Sequence, residues 1–296
     1  MAMTLEPLQP FGVVARDIDL AQPVDDATFA RILAAFNEHA LVVFPTQGLD
    51  DDSQTEFSAR FGRLEGSLRE MRMFEDRPVR QEVLDVSNVG ADGNLIPRTS
   101  KEAIPFVANE LWHSDFSFKP VPAMASLLHG RIVAPEGGQT EFADMRAAWD
   151  ALPDNRKVSL EGLIAEHWLK HSLGTVGYEI TEAEKVAMPS VQQVLVRRHP
   201  VTGRKSLFLS SHASHIIGWP FERGRALLDE LTEFATQPQF VYRHTWQTGD
   251  LVAWDNRSTM HRVRPWDVMR YKRVMRRTTV AGAGPTAADG RATQFA

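Results

Sequence analysis

His113 and Asp115 stand two residues apart in the stretch Leu111-Trp112-His113-Ser114-Asp115. Side chains two apart on an extended segment point to one side, so this imidazole and carboxylate can converge on one point. A second imidazole delivered by the fold would complete a face of three ligands. Two histidines and one carboxylate leave adjacent positions open on a non-haem Fe(II), where a bidentate co-substrate and O2 can bind. The downstream stretch Trp254-Asp255-Asn256-Arg257-Ser258-Thr259-Met260-His261 offers that imidazole in His261. His199, His212 and His215 compete for the role and read as structural or supporting side chains.

Composition narrows the chemistry further. The 296 residues include no cysteine, which removes disulfides, thiolate nucleophiles, iron–sulfur clusters and Cys-ligated zinc. A metal must then be held by histidine and carboxylate. The formal net charge of -5 supplies no basic field for nucleic acid or an anionic membrane, and no apolar run is long enough to span a bilayer. The N-terminus lacks the basic start and apolar stretch of a signal peptide, so a cytoplasmic location is expected.

The elements that must position these residues read as follows. Asp25-Asp26-Ala27-Thr28 caps a helix whose apolar residues Phe29, Ile32, Leu33 and Phe36 recur three and four apart. The run 40–44, closed by Pro45, is a buried strand. Ser53-Gln54-Thr55-Glu56 has the form of a capping box before Phe57 and Phe61, with Gly62 as the stop. From 65 to 106 periodicity fades, and Arg69, Arg72, Arg77, Arg80, Arg98 and Lys101 mix with Met71, Met73 and Phe74. A loop of this length leading into the His113 motif is expected to act as a lid over an anionic substrate. Strands follow at 125–133 and 139–142, a helix at 145–152, and a strand pair at 194–199 and 206–209 around the turn from Pro200. A helix lies within 221–236. A hairpin joins 240–246 to 251–254 through Thr248-Gly249-Asp250, and a last strand covers 273–280. Residues 282–296 are expected to be a disordered tail. Many strands with helices at the start and in insertions indicate a mainly β fold with helical cover, in one domain over 1–281.

The chain is similar to the taurine/2,4-dichlorophenoxyacetate dioxygenase family of Fe(II)/2-oxoglutarate enzymes. The resemblance is carried by Phe61-Gly62, the 111–115 motif, Gly137-Gly138-Gln139-Thr140, His199-Pro200 with Gly203-Arg204-Lys205, the 254–261 stretch and Arg273-Val274-Met275-Arg276-Arg277. Asp144-Met145-Arg146-Ala147-Ala148, Ser211-His212-Ala213-Ser214-His215 and Val241-Tyr242-Arg243-His244 resemble the aryloxyalkanoate branch most. The resemblance implies a double-stranded β-helix, or jelly roll, a homo-oligomer, and Fe(II), 2-oxoglutarate and O2 as cofactor and co-substrates. It implies His113, Asp115 and His261 as iron ligands and catalytic residues, and Arg273 and Thr140 as the pair that holds the far carboxylate of 2-oxoglutarate. Arg277 matches the arginine that receives the anionic group of the primary substrate, and Asn109 matches a polar pocket position. Phe116 stands where the branch carries a small hydroxyl residue, which bears on the substrate and not on the reaction class.

The expected activity is hydroxylation of a small anion, first of all an aryloxyalkanoate cleaved to a phenol and a 2-oxo acid, with release of succinate and CO2. A sulfonate, an alkyl sulfate or an amino-acid derivative would also suit Arg277. A jelly-roll binding protein without chemistry is the reading from another class, and the retention of all three ligand positions with Arg273 and Thr140 argues against it. Arg273 and Arg277 could instead belong to a solvated basic strand. Strand alternation, however, puts them on one face with Met275 and sends Lys272 and Arg276 to the other. For Trp254, plain core packing is as good a reading as a direct role.

Overall fold

The computed structural model describes residues 3–66 and 80–296. A seven-stranded sheet runs in the spatial order Thr4–Pro7, Val13–Arg16, Leu41–Phe44, Leu251–Asp255, Ala125–Ile132, Val274–Val280, Val83–Ser87. Every neighbouring pair is antiparallel except Val13–Arg16 with Leu41–Phe44. A three-stranded sheet of Val241–His244, Thr140–Asp144 and Thr259–Val263 lies opposite it. Phe142 of the small sheet packs on Trp254 of the large one, with ring centroids 5.3 Å apart. The described residues thus form mixed sheets with helical cover, strands and helices in nearly equal share, so the mainly β expectation is met only in its coarser form.

Period-two alternation sorts the side chains of the large sheet. Val42, Phe44, Leu127, Leu251 and Ala253 pack outward under the helices, while Leu41, Val43, Leu128, Val252, Trp254 and Met275 pack inward against the small sheet. Both faces are buried, which explains the continuous apolar run of the Leu41–Phe44 strand. The helix Asp26–His39 is capped by Asp25, whose side chain accepts from the Thr28 amide. The second helix, Asp51–Ala59, begins earlier than Ser53 suggested: Asp50 is its cap, and Ser53 answers from the third helical position. Phe29, Phe36, Phe44, Phe57 and Phe61 meet edge to face between these helices and the sheet. Such pairs add about 0.5–1.5 kcal/mol each beyond the burial of their area.

Two expectations are corrected. The strands 241–244 and 251–255 do not form a hairpin: the first pairs with Thr140–Asp144 and the second with Leu41–Phe44 and Ala125–Ile132. The intervening turn, tied by Asp250 to the Gln247 amide and the His244 ring, carries the chain from one sheet to the other. The tail is ordered rather than disordered. Ala287–Ala288 and Arg291–Ala292 form a small hairpin, and buried Thr286 bonds Gln193 and the Val194 amide. A second three-stranded sheet is formed by Ala213–Ile216, Ile164–His167 and Val191–Val194. No described helix is long and apolar enough to cross a membrane.

Candidate metal centre and anion pocket

His113 and His261 come together through the backbone. The His113 amide donates to His261 O at 3.0 Å and the His261 amide donates to His113 O at 2.8 Å, a single antiparallel bridge. This pins the short 111–115 segment to the Thr259–Val263 strand and sets the two imidazole centroids 4.2 Å apart. Asp115 is brought in by the next turn. His113 Nε2 lies 3.9 Å from Asp115 Oδ1 and His261 Nε2 lies 3.7 Å from Asp115 Oδ2. All three side chains are buried, with their ligand atoms within 4.8 Å of one another.

The donor set fits a divalent metal. His113 Nδ1 is 2.8 Å from Leu111 O, which holds the proton on Nδ1 and leaves Nε2 a bare acceptor. That Nε2 is buried with no hydrogen-bond partner among the described residues, an arrangement a bound cation would complete. Burial pushes both imidazoles below their ordinary range, so they are neutral, the form a metal ligand needs. For Asp115 burial alone would raise the carboxyl, but Arg277 above all, then His261 and His113, outweigh it and hold it well below the usual carboxylate range.

A second ring of contacts orients the carboxylate. Ser126 Oγ donates to Asp115 Oδ2 at 2.7 Å, Asn256 Nδ2 donates to Ser126 Oγ at 3.0 Å, and Trp254 Nε1 donates to Asn256 Oδ1 at 3.0 Å. The Asp115 amide also donates to Asn256 Oδ1, at 3.2 Å. Trp254, fully buried, lies against the His261 ring at 4.6 Å, so it packs and positions at once. Ser126 and Asn256 were not singled out from the sequence. Asn256 adjoins Trp254-Asp255 in the motif, whereas Ser126 is placed only by strand pairing.

Arg273 and Arg277 both turn inward, as alternation requires, and each is more than nine-tenths buried. Arg277 Nη1 donates to Asp115 Oδ1 at 2.6 Å, and its Nε is buried without a partner among the described residues. Arg273 has no carboxylate partner among the described residues. Its Nε donates to Gly138 O at 3.2 Å, its guanidinium faces Trp266 at 5.4 Å, and burial pushes it down to about 10. Thr140 Oγ1 accepts from Trp246 Nε1 at 2.9 Å, which leaves its own proton free to donate. Arg273, Thr140, Asn109, His113 and His261 line one cavity. A larger one, about 920 Å³ including its mouth, is walled by Asn109, His113, Asp115, Phe116, Arg277 and apolar side chains that include Phe106, Phe118 and Leu169.

Of the expected lid, Arg69, Met71, Arg72, Met73, Phe74 and Arg77 lie outside the described residues. The described remainder walls the cavity through Val83–Ser87 and the helix Ile104–Ala108. Two of its cations serve elsewhere: Arg80 pairs with Asp52, and both terminal nitrogens of Arg98 bind Glu110. His199 holds Asp255 at 2.9 Å, a structural role. His212 reaches the cavity wall, its Nδ1 2.7 Å from Ser172 Oγ, a position that its sequence neighbourhood did not reveal. His215 contacts Ser214 and faces Phe221, away from the cavity.

The family model for the taurine catabolism dioxygenase TauD, TfdA family matches residues 4–279. The chain is 44% identical to the alpha-ketoglutarate-dependent 2,4-dichlorophenoxyacetate dioxygenase of Cupriavidus pinatubonensis, over 96% of this chain and 99% of that one. It is 37% identical to the (S)-phenoxypropionate/alpha-ketoglutarate-dioxygenase of Sphingobium herbicidovorans, over 95% and 96%. Among solved structures, AAD-2 in complex with Mn(II) and N-oxalylglycine superposes with a TM-score of 0.90 at 45% identity, covering 97% of this chain and 100% of that one.

Proposed function

The chain belongs to the taurine catabolism dioxygenase TauD, TfdA family, and from that premise we propose an Fe(II)- and 2-oxoglutarate-dependent dioxygenase of aryloxyalkanoate anions, built on a double-stranded β-helix. The observation that carries the reaction class is the placement of two buried arginines, Arg273 and Arg277, on one inner strand face beside the His113, Asp115 and His261 cluster, and the apolar cavity wall with the phenoxyalkanoate-acting relatives supports the aryl substrate. Two anions can thus be held on either side of one metal.

His113, Asp115 and His261 would hold Fe(II), which with 2-oxoglutarate and O2 supplies the oxidising chemistry that yields succinate, CO2 and a hydroxylated substrate carbon. Arg273, a planar bidentate donor, and the free proton of Thr140 bind the far carboxylate of 2-oxoglutarate. Arg277 binds the carboxylate of the substrate. That ionic contact competes with the Arg277–Asp115 pair at 2.6 Å, so substrate arrival redistributes the charge beside the ligand carboxylate. Asn109 lines both cavities and orients the polar end, while Phe106, Phe118, Leu169 and Leu173 give an aryl ring an apolar, water-excluding wall. Holding both anions rigidly is the protein's contribution to rate. Hydroxylation of the carbon beside the ether oxygen gives a hemiacetal, which breaks its C–O bond to leave a phenol and a 2-oxo acid.

The test is succinate formation by the Fe(II)-reconstituted protein with aryloxyacetates, aryloxypropionates, sulfonates and alkyl sulfates. Aryloxyalkanoates are expected to drive turnover and release phenol. Turnover by sulfonates or sulfates alone would overturn the substrate class.

A further inference from the structure

Phe116 follows Asp115 directly and has φ +54°, a left-handed conformation that a bulky side chain rarely adopts. Its ring is nevertheless fixed. Lys119 Nζ sits 3.9 Å from the ring centroid, Phe118 meets it edge to face at 5.9 Å, and the Lys119 amide donates to Phe116 O at 2.9 Å. Lys119 is in turn held by Glu65 at 3.0 Å. The left-handed turn keeps the ring in the cavity wall, where it is 4% exposed.

Cavities succeed one another along the inner face of residues 273–279. The chamber with Arg273 and Thr140 comes first, the large chamber with Arg277 next, and a smaller one beyond Arg277 contains Thr279, Glu65 and Glu82. Leu84, Phe116 and Arg277 line both of the last two, so the Phe116 ring is part of the partition beside the anion-binding guanidinium. An anion seated on Arg277 places the carbon that bears it next to this ring and next to the metal cluster. Of the two hydrogens on that carbon in an oxyacetate, one must face the cluster to react. The other faces a wall.

We propose that Phe116 selects against a substituent on the carbon that bears the carboxylate, so that the enzyme takes aryloxyacetates and rejects the 2-aryloxypropionate enantiomer that still presents its hydrogen to the metal. The inference rests on the reading of Arg277 as the substrate's anion anchor. It distinguishes two substrate types that occur among the relatives, 2,4-dichlorophenoxyacetate and (S)-phenoxypropionate.

The experiment compares kcat/KM for an aryloxyacetate and for both enantiomers of the matching 2-aryloxypropionate in wild type, Phe116→Gly and Phe116→Asn. Glycine and asparagine both tolerate the left-handed backbone, so at least one folded variant is expected, checked by circular dichroism. Removing the ring should raise the efficiency of one propionate enantiomer relative to the oxyacetate by roughly 10- to 100-fold, with the KM for 2-oxoglutarate unchanged. An unaltered ratio in a folded variant, or a wild type that takes both substrate types equally, overturns the inference while leaving the function intact. A wild type that releases succinate with no aryloxyalkanoate overturns the function and the inference together.

Discussion

Replacing Arg273 by methionine separates the account from a purely structural one, because stability and binding should move in opposite directions. Arg273 is buried with no carboxylate beside it among the described residues, and burial alone pushes it from 12.5 down to about 10. At 1.36 kcal/mol per unit, keeping that charge inside the fold costs about 3 kcal/mol relative to the unfolded chain. The contact with Trp266 offsets roughly 0.5–2 kcal/mol of this. Methionine keeps most of the length and apolar packing without the charge. The ligand-free Arg273→Met protein should therefore be more stable than wild type by about 1–2 kcal/mol in urea unfolding. Binding of 2-oxoglutarate with Mn(II) should weaken, since loss of one partner of a buried charge pair costs about 2–5 kcal/mol, a factor of roughly 30 to 5,000 in Kd. Titration calorimetry reads the second quantity, and 2-oxoglutarate should no longer raise Tm at a concentration that raises it for wild type. A variant that is less stable than wild type yet binds 2-oxoglutarate normally would refute the reasoning, because Arg273 would then be a packing residue and not a waiting counter-ion.

Other outcomes follow from the same geometry. Arg277→Gln should lower kcat/KM for the anionic substrate by about 100-fold or more while leaving the KM for 2-oxoglutarate nearly unchanged, measured by succinate release. Ser126→Ala removes the 2.7 Å donor to Asp115 and should weaken Mn(II) affinity by about 10- to 100-fold, read by calorimetry. His167 is fully buried, both its ring nitrogens lack hydrogen-bond partners among the described residues, and burial, then Arg225, push it down to about 3. Below pH 6.5 the unfolded chain takes up a proton there that the native state refuses. The contribution to stability is thus whole at pH 7 and falls with pH by about 1.4 kcal/mol per unit. Because the unfolded imidazole is already half protonated at pH 6.5, His167→Phe should shrink the stability difference between pH 6.5 and 5.5 by about 1 kcal/mol in urea unfolding of metal-free protein.

Much of the site was legible because its signals are local. The alternation through Arg273, Met275 and Arg277 follows from backbone periodicity, whereas the two-residue spacing marked His113 and Asp115 although a turn, and not strand alternation, brings Asp115 in. What stayed hidden depends on contacts between distant segments. Ser126 meets Asp115 only because its strand lies beside Leu251–Asp255, and His212 reaches the cavity through the pairing of Ala213–Ile216 with Ile164–His167. The expected hairpin at 240–254 failed because a glycine turn between two apolar runs does not tell whether the runs pair with each other or with two separate sheets. The tail was misjudged because its Gly, Ala and Thr content resembles a solvated segment, whereas Thr286 and Ala287 find buried positions. Asp50 outcompeted Ser53 as a cap by lying one turn nearer the start of the helix.

The most direct test of the central claim is the ratio of succinate to phenol released from an aryloxyacetate by protein reconstituted anaerobically with Fe(II) and 2-oxoglutarate, then exposed to O2. Wild type should release one succinate per phenol, and His113→Ala or His261→Ala should release neither product. Phenol released without succinate, or both products retained in those variants, would contradict that claim.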